Sequence, residues 1–138
     1  MPVVDDTAAN GTVTGVLLIA HGSRQQAAND DLLALAEMVR QQREYDVVEV
    51  AYLELAQPDI LQGARICIEN GATHVRMLPF FLSAGRHVVS DLTRHLRELA
   101  TEFPQLSFEL CPPLGLHPLV VQVVLDRLKE RLPEAGGG

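Results

Sequence analysis

The chain has 138 residues, of which 47% are hydrophobic and 21% are charged. This length and balance predict one globular domain with its own core and exclude a disordered chain. A formal net charge of −7 argues against a general nucleic-acid binder, and no apolar run approaches the roughly 18 residues of a membrane span.

Both ends of the chain read as flexible tails, residues 1–14 and 133–138, around a domain that spans residues 15–132. The first thirteen residues lack the basic and apolar regions of a secretory signal. Cys67 and Cys111 have neither metal-knuckle nor redox-pair spacing, which favours a reduced, cytoplasmic protein.

Strand and helix patterns alternate along the chain. The apolar run at residues 15–20 predicts a strand that is buried on both faces. A helix over about 27–43 follows, and its predicted buried stripe is Leu32, Leu35, Ala36 and Val39. A second strand is predicted at 47–53, and the next helix runs between Pro58, in its first turn, and Gly71, just past its end.

The second half of the chain repeats this pattern. A strand at 75–80 should end near Pro79, because proline removes a ladder donor. A helix over 86–103, a strand at 106–110 and a last helix over 118–132 complete the order. Strand followed by helix four times predicts an α/β fold, a four-stranded parallel sheet with helices on both faces. Cys67 falls on the inner face of its helix and is interpreted as a core residue.

Ligands of such sheets bind beyond the carboxyl ends of the strands, and polar residues gather there. His21 follows strand one, Glu54 ends strand two, His87 follows strand three and His117 follows strand four. Two imidazoles and a carboxylate suit Fe²⁺, Co²⁺, Ni²⁺ or Zn²⁺. Three protein ligands also leave coordination positions open for a substrate.

Each of these residues also has an ordinary structural interpretation. His21 could be a capping or hydrogen-bonding residue, and Glu54 could cap the next helix or face water. His87 could be a first-turn residue, and His117 is expected to shape the start of the last helix. His74 and His95 lie away from the strand ends and are taken as structural or solvated. The functional hypothesis therefore depends on the convergence of several groups.

The flanking residues favour an anionic substrate. Arg24 and Arg86 place positive charge at this edge of an acidic protein. No phosphate-binding loop of the ATPase type, no dinucleotide-binding glycine motif and no serine-hydrolase elbow occurs in the sequence. ATP or another nucleotide is therefore not expected as a cofactor.

Four segments in the same order resemble the short class II tetrapyrrole chelatases, which are sirohydrochlorin cobalto-, ferro- and nickel-chelatases. The segments are LLIAHGSR, YLELAQP, LPFFLSAGRHVVSDL and CPPLGLHP, and the resemblance covers about residues 16–127. It implies insertion of a divalent metal, Co²⁺, Fe²⁺ or Ni²⁺, into sirohydrochlorin without ATP. It also implies that a homodimer supplies the second lobe of the enzyme.

Carried over by motif, His21 and His87 would be the metal-binding and base histidines, and Glu54 their acidic partner. These three residues are predicted to be both catalytic and metal-binding. The predicted substrate-binding residues are Ser23, Arg24, Ser83, Gly85 and Arg86. Arg94 is a further candidate for substrate carboxylates. Phe80, Leu82 and Leu116 could support the ring, although core packing is the more ordinary role for such residues. Arg86 departs from the smaller or apolar residue expected in this loop.

Two other functions fit parts of the pattern. A histidine phosphatase also has His-Gly after its first strand, but here Ala20 replaces the arginine that would precede it and clamp the phosphate. A metal-carrying or metal-sensing domain could use the same histidines and glutamate. Turnover of sirohydrochlorin would distinguish a chelatase from a carrier.

Overall fold

The computed structural model describes residues 11–133, and these form a four-stranded parallel sheet with four helices. The strands are β1 (Thr14–Ala20), β2 (Val47–Tyr52), β3 (His74–Pro79) and β4 (Ser107–Leu110). The helices are α1 (Gln26–Gln41), α2 (Ile60–Glu69), α3 (Arg86–Glu102) and α4 (Pro118–Leu128). The strand order is β2-β1-β3-β4, with every neighbouring pair parallel. The predicted alternation and fold class are confirmed.

Two hydrophobic layers flank the sheet. Leu17, Ile19 and Met77 point to the face covered by α2 and α3, and all three are completely buried there. Val16 and Leu18 point to the opposite face, which α1 covers. Central strand β1 is therefore buried on both sides, as its unbroken apolar run predicts.

The face under α1 is covered only in part. Along β3, buried residues alternate with half-buried ones, because α2 and α3 cover one face and no described helix packs over β3 on the other. Helix α4 ends at Leu128, earlier than the predicted residue 132, and none of its residues is buried. The prediction of helices on both faces holds through α1, whereas α4 adds no cover to the sheet.

Local signals gave mixed results at α2. Pro58 lies outside the helix, so its predicted place in the first turn is wrong. Asp59 is the N-cap, and it forms a reciprocal capping box with Gln62. Gly71 follows the helix with φ +105°, as predicted. Cys67 is fully buried, and burial raises the pKa of its thiol to about 12, which confirms a core residue.

The predicted tails lie almost entirely outside the described residues, so the domain boundaries remain predictions. At the near end of the described chain, Val13 exchanges hydrogen bonds with Thr73, including one of 2.9 Å from the Val13 amide to the threonine hydroxyl. Within residues 11–133, no helix combines the length and the apolar character needed to cross a membrane.

Candidate functional site

Backbone hydrogen bonds join the strand ends beyond the regular ladder. The Glu54 amide donates to the His21 carbonyl at 3.0 Å, and the Leu53 amide donates to Ala20 at the same distance. On the other side of β1, the Phe80 amide donates to Ile19 at 2.7 Å. The residue after β1 is thereby held between the ends of β2 and β3, the two neighbours that carry the other candidate residues.

Gly22 allows the first two loops to approach each other closely. Its φ is +96°, and a Cβ built there would lie 1.8 Å from the Glu54 carbonyl oxygen. No side chain fits this position without moving one of the loops. The Gly after His21 is therefore required by the contact between the two loops that carry His21 and Glu54.

The buried side-chain amide of Asn29 holds the loop that follows β1. Asn29 is only 7% exposed; its side chain accepts from the Ser23 amide at 3.0 Å and donates to the Ser23 carbonyl at 2.8 Å. The Tyr52 hydroxyl donates to the Asn29 carbonyl at 2.8 Å. Burial, with a smaller effect of the nearby Asp30 charge, raises the pKa of Tyr52, so this hydroxyl keeps its proton. Asn29 was not predicted from sequence, because a single polar residue in a helix gives no pattern.

The predicted triad lines one pocket. His21, Glu54 and His87 share an open cavity of about 400 Å³ with Leu53, Val88 and Asp91. His87 reaches it from the first turn of α3, whose N-cap is Gly85. The His21 ring stacks on Phe81, with the ring centroids 4.1 Å apart and the planes 19° from parallel. This contact orients the imidazole while leaving the residue exposed.

Glu54 does not cap α2, since Asp59 performs that role. The carboxylate-bearing residue is exposed at the mouth of the pocket. The structure thus contradicts the capping interpretation of Glu54, whereas its exposure agrees with the other ordinary interpretation, a side chain that faces water.

The described residues contain no group of three His, Cys, Asp or Glu side chains placed closely enough to hold a metal ion. The three candidates share a cavity without forming a closed cage. Asp91 adds a second carboxylate to the lining, and it was not predicted. The signal was present in the sequence, because Asp91 lies four residues after His87 and such residues share a helix face.

The predicted substrate-binding residues occupy the loops of this edge in different ways. Arg24, Ser83 and Arg86 are exposed, and Arg24 and Arg86 form no ion pair within residues 11–133. Ser23 has a structural contact, since its hydroxyl accepts from the Gln25 amide at 2.9 Å. Arg94 is occupied by Asp91 and Glu98. It is therefore less free than the other arginines to hold a substrate carboxylate.

Exposed apolar side chains lie on the loops at the carboxyl edge of the sheet. Phe80, Leu82 and Leu116 are 39%, 67% and 96% exposed. The expectation that core packing is their ordinary role is wrong, because none of these three side chains belongs to either hydrophobic layer. These side chains are available to contact a flat apolar ligand.

The remaining histidines have structural partners. His117 caps α4, accepting from the Leu119 amide at 3.1 Å, as predicted. His74 contacts Ser107 and Glu109 at the opposite edge of the sheet. A larger cavity of about 540 Å³ lies between α2 and α3. It contains His95 but none of the strand-end residues, and two of its charged side chains, Arg94 and Glu98, pair with each other, so its size does not make it the better candidate.

The chain is a parallel α/β protein with a candidate site at the carboxyl edge of the sheet. The family profile described as CbiX matches residues 15–131. The chain therefore belongs to the CbiX family, and the resemblance carried by the four sequence segments is confirmed.

Named relatives agree with this assignment. The chain is 35% identical over 127 residues to the chloroplastic sirohydrochlorin ferrochelatase of Arabidopsis thaliana, covering 92% of this chain and 56% of the relative. The crystal structure of the sirohydrochlorin chelatase SirB from Bacillus subtilis subspecies spizizenii, in complex with cobalt, is 29% identical with a TM-score of 0.79, covering 86% of this chain and 50% of SirB.

A shorter structure is matched over nearly its whole length. The putative cobalamin biosynthesis CbiX protein of Marinobacter aquaeolei VT8 is 27% identical with a TM-score of 0.72, covering 84% of this chain and 94% of that one. By contrast, the chain spans about half the length of the first curated relatives it matches. The family thus contains chains of this size and chains about twice as long.

Proposed function

We propose that the protein inserts a divalent metal ion, Co²⁺, Fe²⁺ or Ni²⁺, into sirohydrochlorin without ATP. The observation that carries the proposal is the pocket that His21, Glu54 and His87 share. The names of the relatives, sirohydrochlorin ferrochelatase and chelatase, supply the substrate.

An open pocket suits a metal that is a substrate. A metal ion that must pass to a macrocycle should be held by few protein ligands, so that its other positions can accept pyrrole nitrogens. His21 and His87 would each offer one imidazole lone pair, either to the metal or to a pyrrole proton, and one lone pair cannot serve both at once. Two such groups allow one imidazole to bind metal while the other accepts a proton.

The charged side chains at the pocket suit both substrates, the metal cation and the anionic tetrapyrrole. Glu54 places a carboxylate beside the imidazoles, where it attracts the cation. Arg24 lies on the loop after β1 and Arg86 is the first residue of α3. Neither forms an ion pair inside the described chain, and their guanidinium groups suit the peripheral carboxylates of the tetrapyrrole. Phe80, Leu82 and Leu116 offer apolar contact to the ring.

The active assembly in this proposal is a homodimer. One four-stranded unit presents one wall to a large flat ring, whereas ligand sites usually enclose most of the ligand. The roughly double length of the Priestia and Bacillus relatives supports a second lobe. The proposal keeps the cytoplasmic location, which the two free cysteines support.

The test is anaerobic turnover. Purified protein is mixed with sirohydrochlorin and each metal in turn, and the absorbance spectrum is followed against a protein-free control. His21→Ala and His87→Ala should each lower the rate strongly with little loss of stability, because both residues are exposed. His74→Ala, at the opposite edge of the sheet, is the matched histidine control and should retain the parental rate.

Glu54→Gln separates the carboxylate from a capping role. The rate should fall about tenfold or more, as for other groups around metals, with an almost unchanged melting temperature. Asp59→Ala is its control, and it should cost about 1 kcal/mol of stability while leaving the rate intact. Metal binding without any change in the macrocycle spectrum would identify a carrier. Rates within twofold of the parent in both histidine variants would overturn the assignment.

A further inference from the structure

Asp91 lies at the boundary between the proposed metal pocket and the charged surface of α3. It lines the pocket together with His21, Glu54 and His87. Asp91 follows His87 by one helical turn, so the two residues lie on the same face of α3. The proposed function assigns no role to this second carboxylate, although it belongs to the same cavity as the three predicted residues.

The two carboxylate oxygens of Asp91 have different surroundings. Oδ1 accepts a hydrogen bond from Nη2 of Arg94, which lies one turn further along the helix. Oδ2 accepts no hydrogen bond from residues 11–133, and it lies 4.0 Å from Nε2 of His95. The Asp91 side chain is 40% exposed. One oxygen is therefore engaged, whereas the other is open to an incoming cation.

Arg94 neutralises Asp91 from outside the pocket. Its side chain is 55% exposed, and it is not among the residues that line the cavity. The hydrogen bond to Asp91 is the main cause that raises the pKa of Arg94. Arg94 also contacts Glu98 at 3.1 Å, so its guanidinium group stays ion-paired when Asp91 binds a cation instead. Exposed ion pairs are weak, and Arg94 is therefore a counterion that a metal can displace.

A divalent cation that enters the pocket meets a negative lining. Of the residues in the described chain that line the cavity, Glu54 and Asp91 carry carboxylates and none carries a permanent positive charge. Charged walls of one sign raise the local concentration of the opposite ion. Residues 11–133 place no three ligating side chains close enough to surround an ion. A carboxylate beside the histidines can therefore act on the ion while the ion still carries bound water.

We propose that Asp91 captures the incoming divalent cation through its free oxygen, before the imidazoles of His21 and His87 receive the ion. Arg94 opposes this capture, because its positive charge lies on the same carboxylate. The Asp91–Arg94 pair thereby sets how tightly the metal substrate is held. A limited affinity suits the reaction, since tight binding of a substrate lowers KM without raising kcat. This inference rests on the proposed function and adds a metal-binding residue to it.

The kinetic test varies Co²⁺ at saturating sirohydrochlorin, without oxygen. Asp91→Asn should raise the KM for Co²⁺ about tenfold, the lower end of the losses seen when groups around a metal are removed. Its kcat should stay close to that of the parent, because the lost interaction acts at capture. Arg94→Gln should lower the same KM by about two- to fivefold, the factor that corresponds to an exposed ion pair. The combined variant should behave as Asp91→Asn alone, because Arg94 acts only through Asp91.

Glu102→Gln is the matched control at the far end of α3. Glu102 also pairs with an arginine, Arg65, at 3.0 Å, but it does not line the pocket. Its replacement removes the same negative charge from the protein and should leave the KM for Co²⁺ at the parental value. An unchanged KM in Asp91→Asn, an equal rise in Glu102→Gln, or a KM that is not lowered in Arg94→Gln would overturn the proposal.

Calorimetric titration with Co²⁺ alone separates this inference from the proposed activity. The Kd for Co²⁺ should rise in Asp91→Asn and fall in Arg94→Gln by the same factors, with no macrocycle present. That order of affinities in a protein that never metallates sirohydrochlorin would contradict the chelatase proposal and leave the role of Asp91 intact. Turnover together with an unchanged Kd in Asp91→Asn would overturn the role of Asp91 and leave the chelatase proposal intact.

Discussion

Gly22→Ala tests whether the spacing of the first two strand-end loops controls the site. The added Cβ would lie 1.8 Å from the Glu54 carbonyl oxygen. Since real Cβ contacts essentially never fall below 3.0 Å, one loop must move by at least 1.2 Å, the difference between these distances. The displaced segments are those that carry His21 and Glu54.

Two separable effects follow from this substitution. Alanine at φ +96° carries conformational strain of about 1–2 kcal/mol, and the collision adds to it. A displacement of about 1 Å in a catalytic site can cost on the order of 100-fold in rate. We therefore expect Gly22→Ala to lose both stability and nearly all turnover.

Gly71→Ala provides the matched control. Gly71 also has a positive φ, +105°, but an added Cβ meets nothing within 4 Å. This variant should show the conformational strain alone, with turnover retained. The assays are thermal unfolding and anaerobic metal insertion into sirohydrochlorin. Equal melting temperatures in the two variants, with the Gly22→Ala rate within twofold of the parent, would refute the reasoning.

Two further predictions concern buried groups. Asn29→Ala removes both hydrogen bonds that hold Ser23 and should lower the free energy of unfolding by about 1–3 kcal/mol, measured with denaturant. The control, Gln26→Ala on the exposed face of α1, should change it by less than about 0.5 kcal/mol. Equal losses in the two variants would show that the Asn29 contacts are unimportant. Because burial raises the pKa of Cys67 to about 12, a thiol reagent at pH 8 should label Cys111 in the native protein and Cys67 only after unfolding. Rapid labelling of both thiols without denaturant would contradict the buried position of Cys67.

The sequence alone determined the order of elements and the fold class. The apolar run of β1, the helical stripe of α1 and the glycine after α2 are local patterns, and each reports burial or backbone geometry at its own position. Parallel topology then followed from the alternation of strand and helix, which also brought His21, Glu54 and His87 to one edge of the sheet. That these three residues share one pocket is what the structure adds; their roles remain proposals.

Only the tertiary structure decided the contacts between segments distant in the chain. The need for glycine at position 22 comes from the Glu54 carbonyl 32 residues later, and the role of Asn29 depends on a loop that folds back onto α1. Asp59 replaced Pro58 as the start signal of α2, because a reciprocal pair of hydrogen bonds outweighs a positional preference. Helix α4 shows the same limit: the sequence predicts a helix there, but only the structure shows that none of its residues is buried in the single chain.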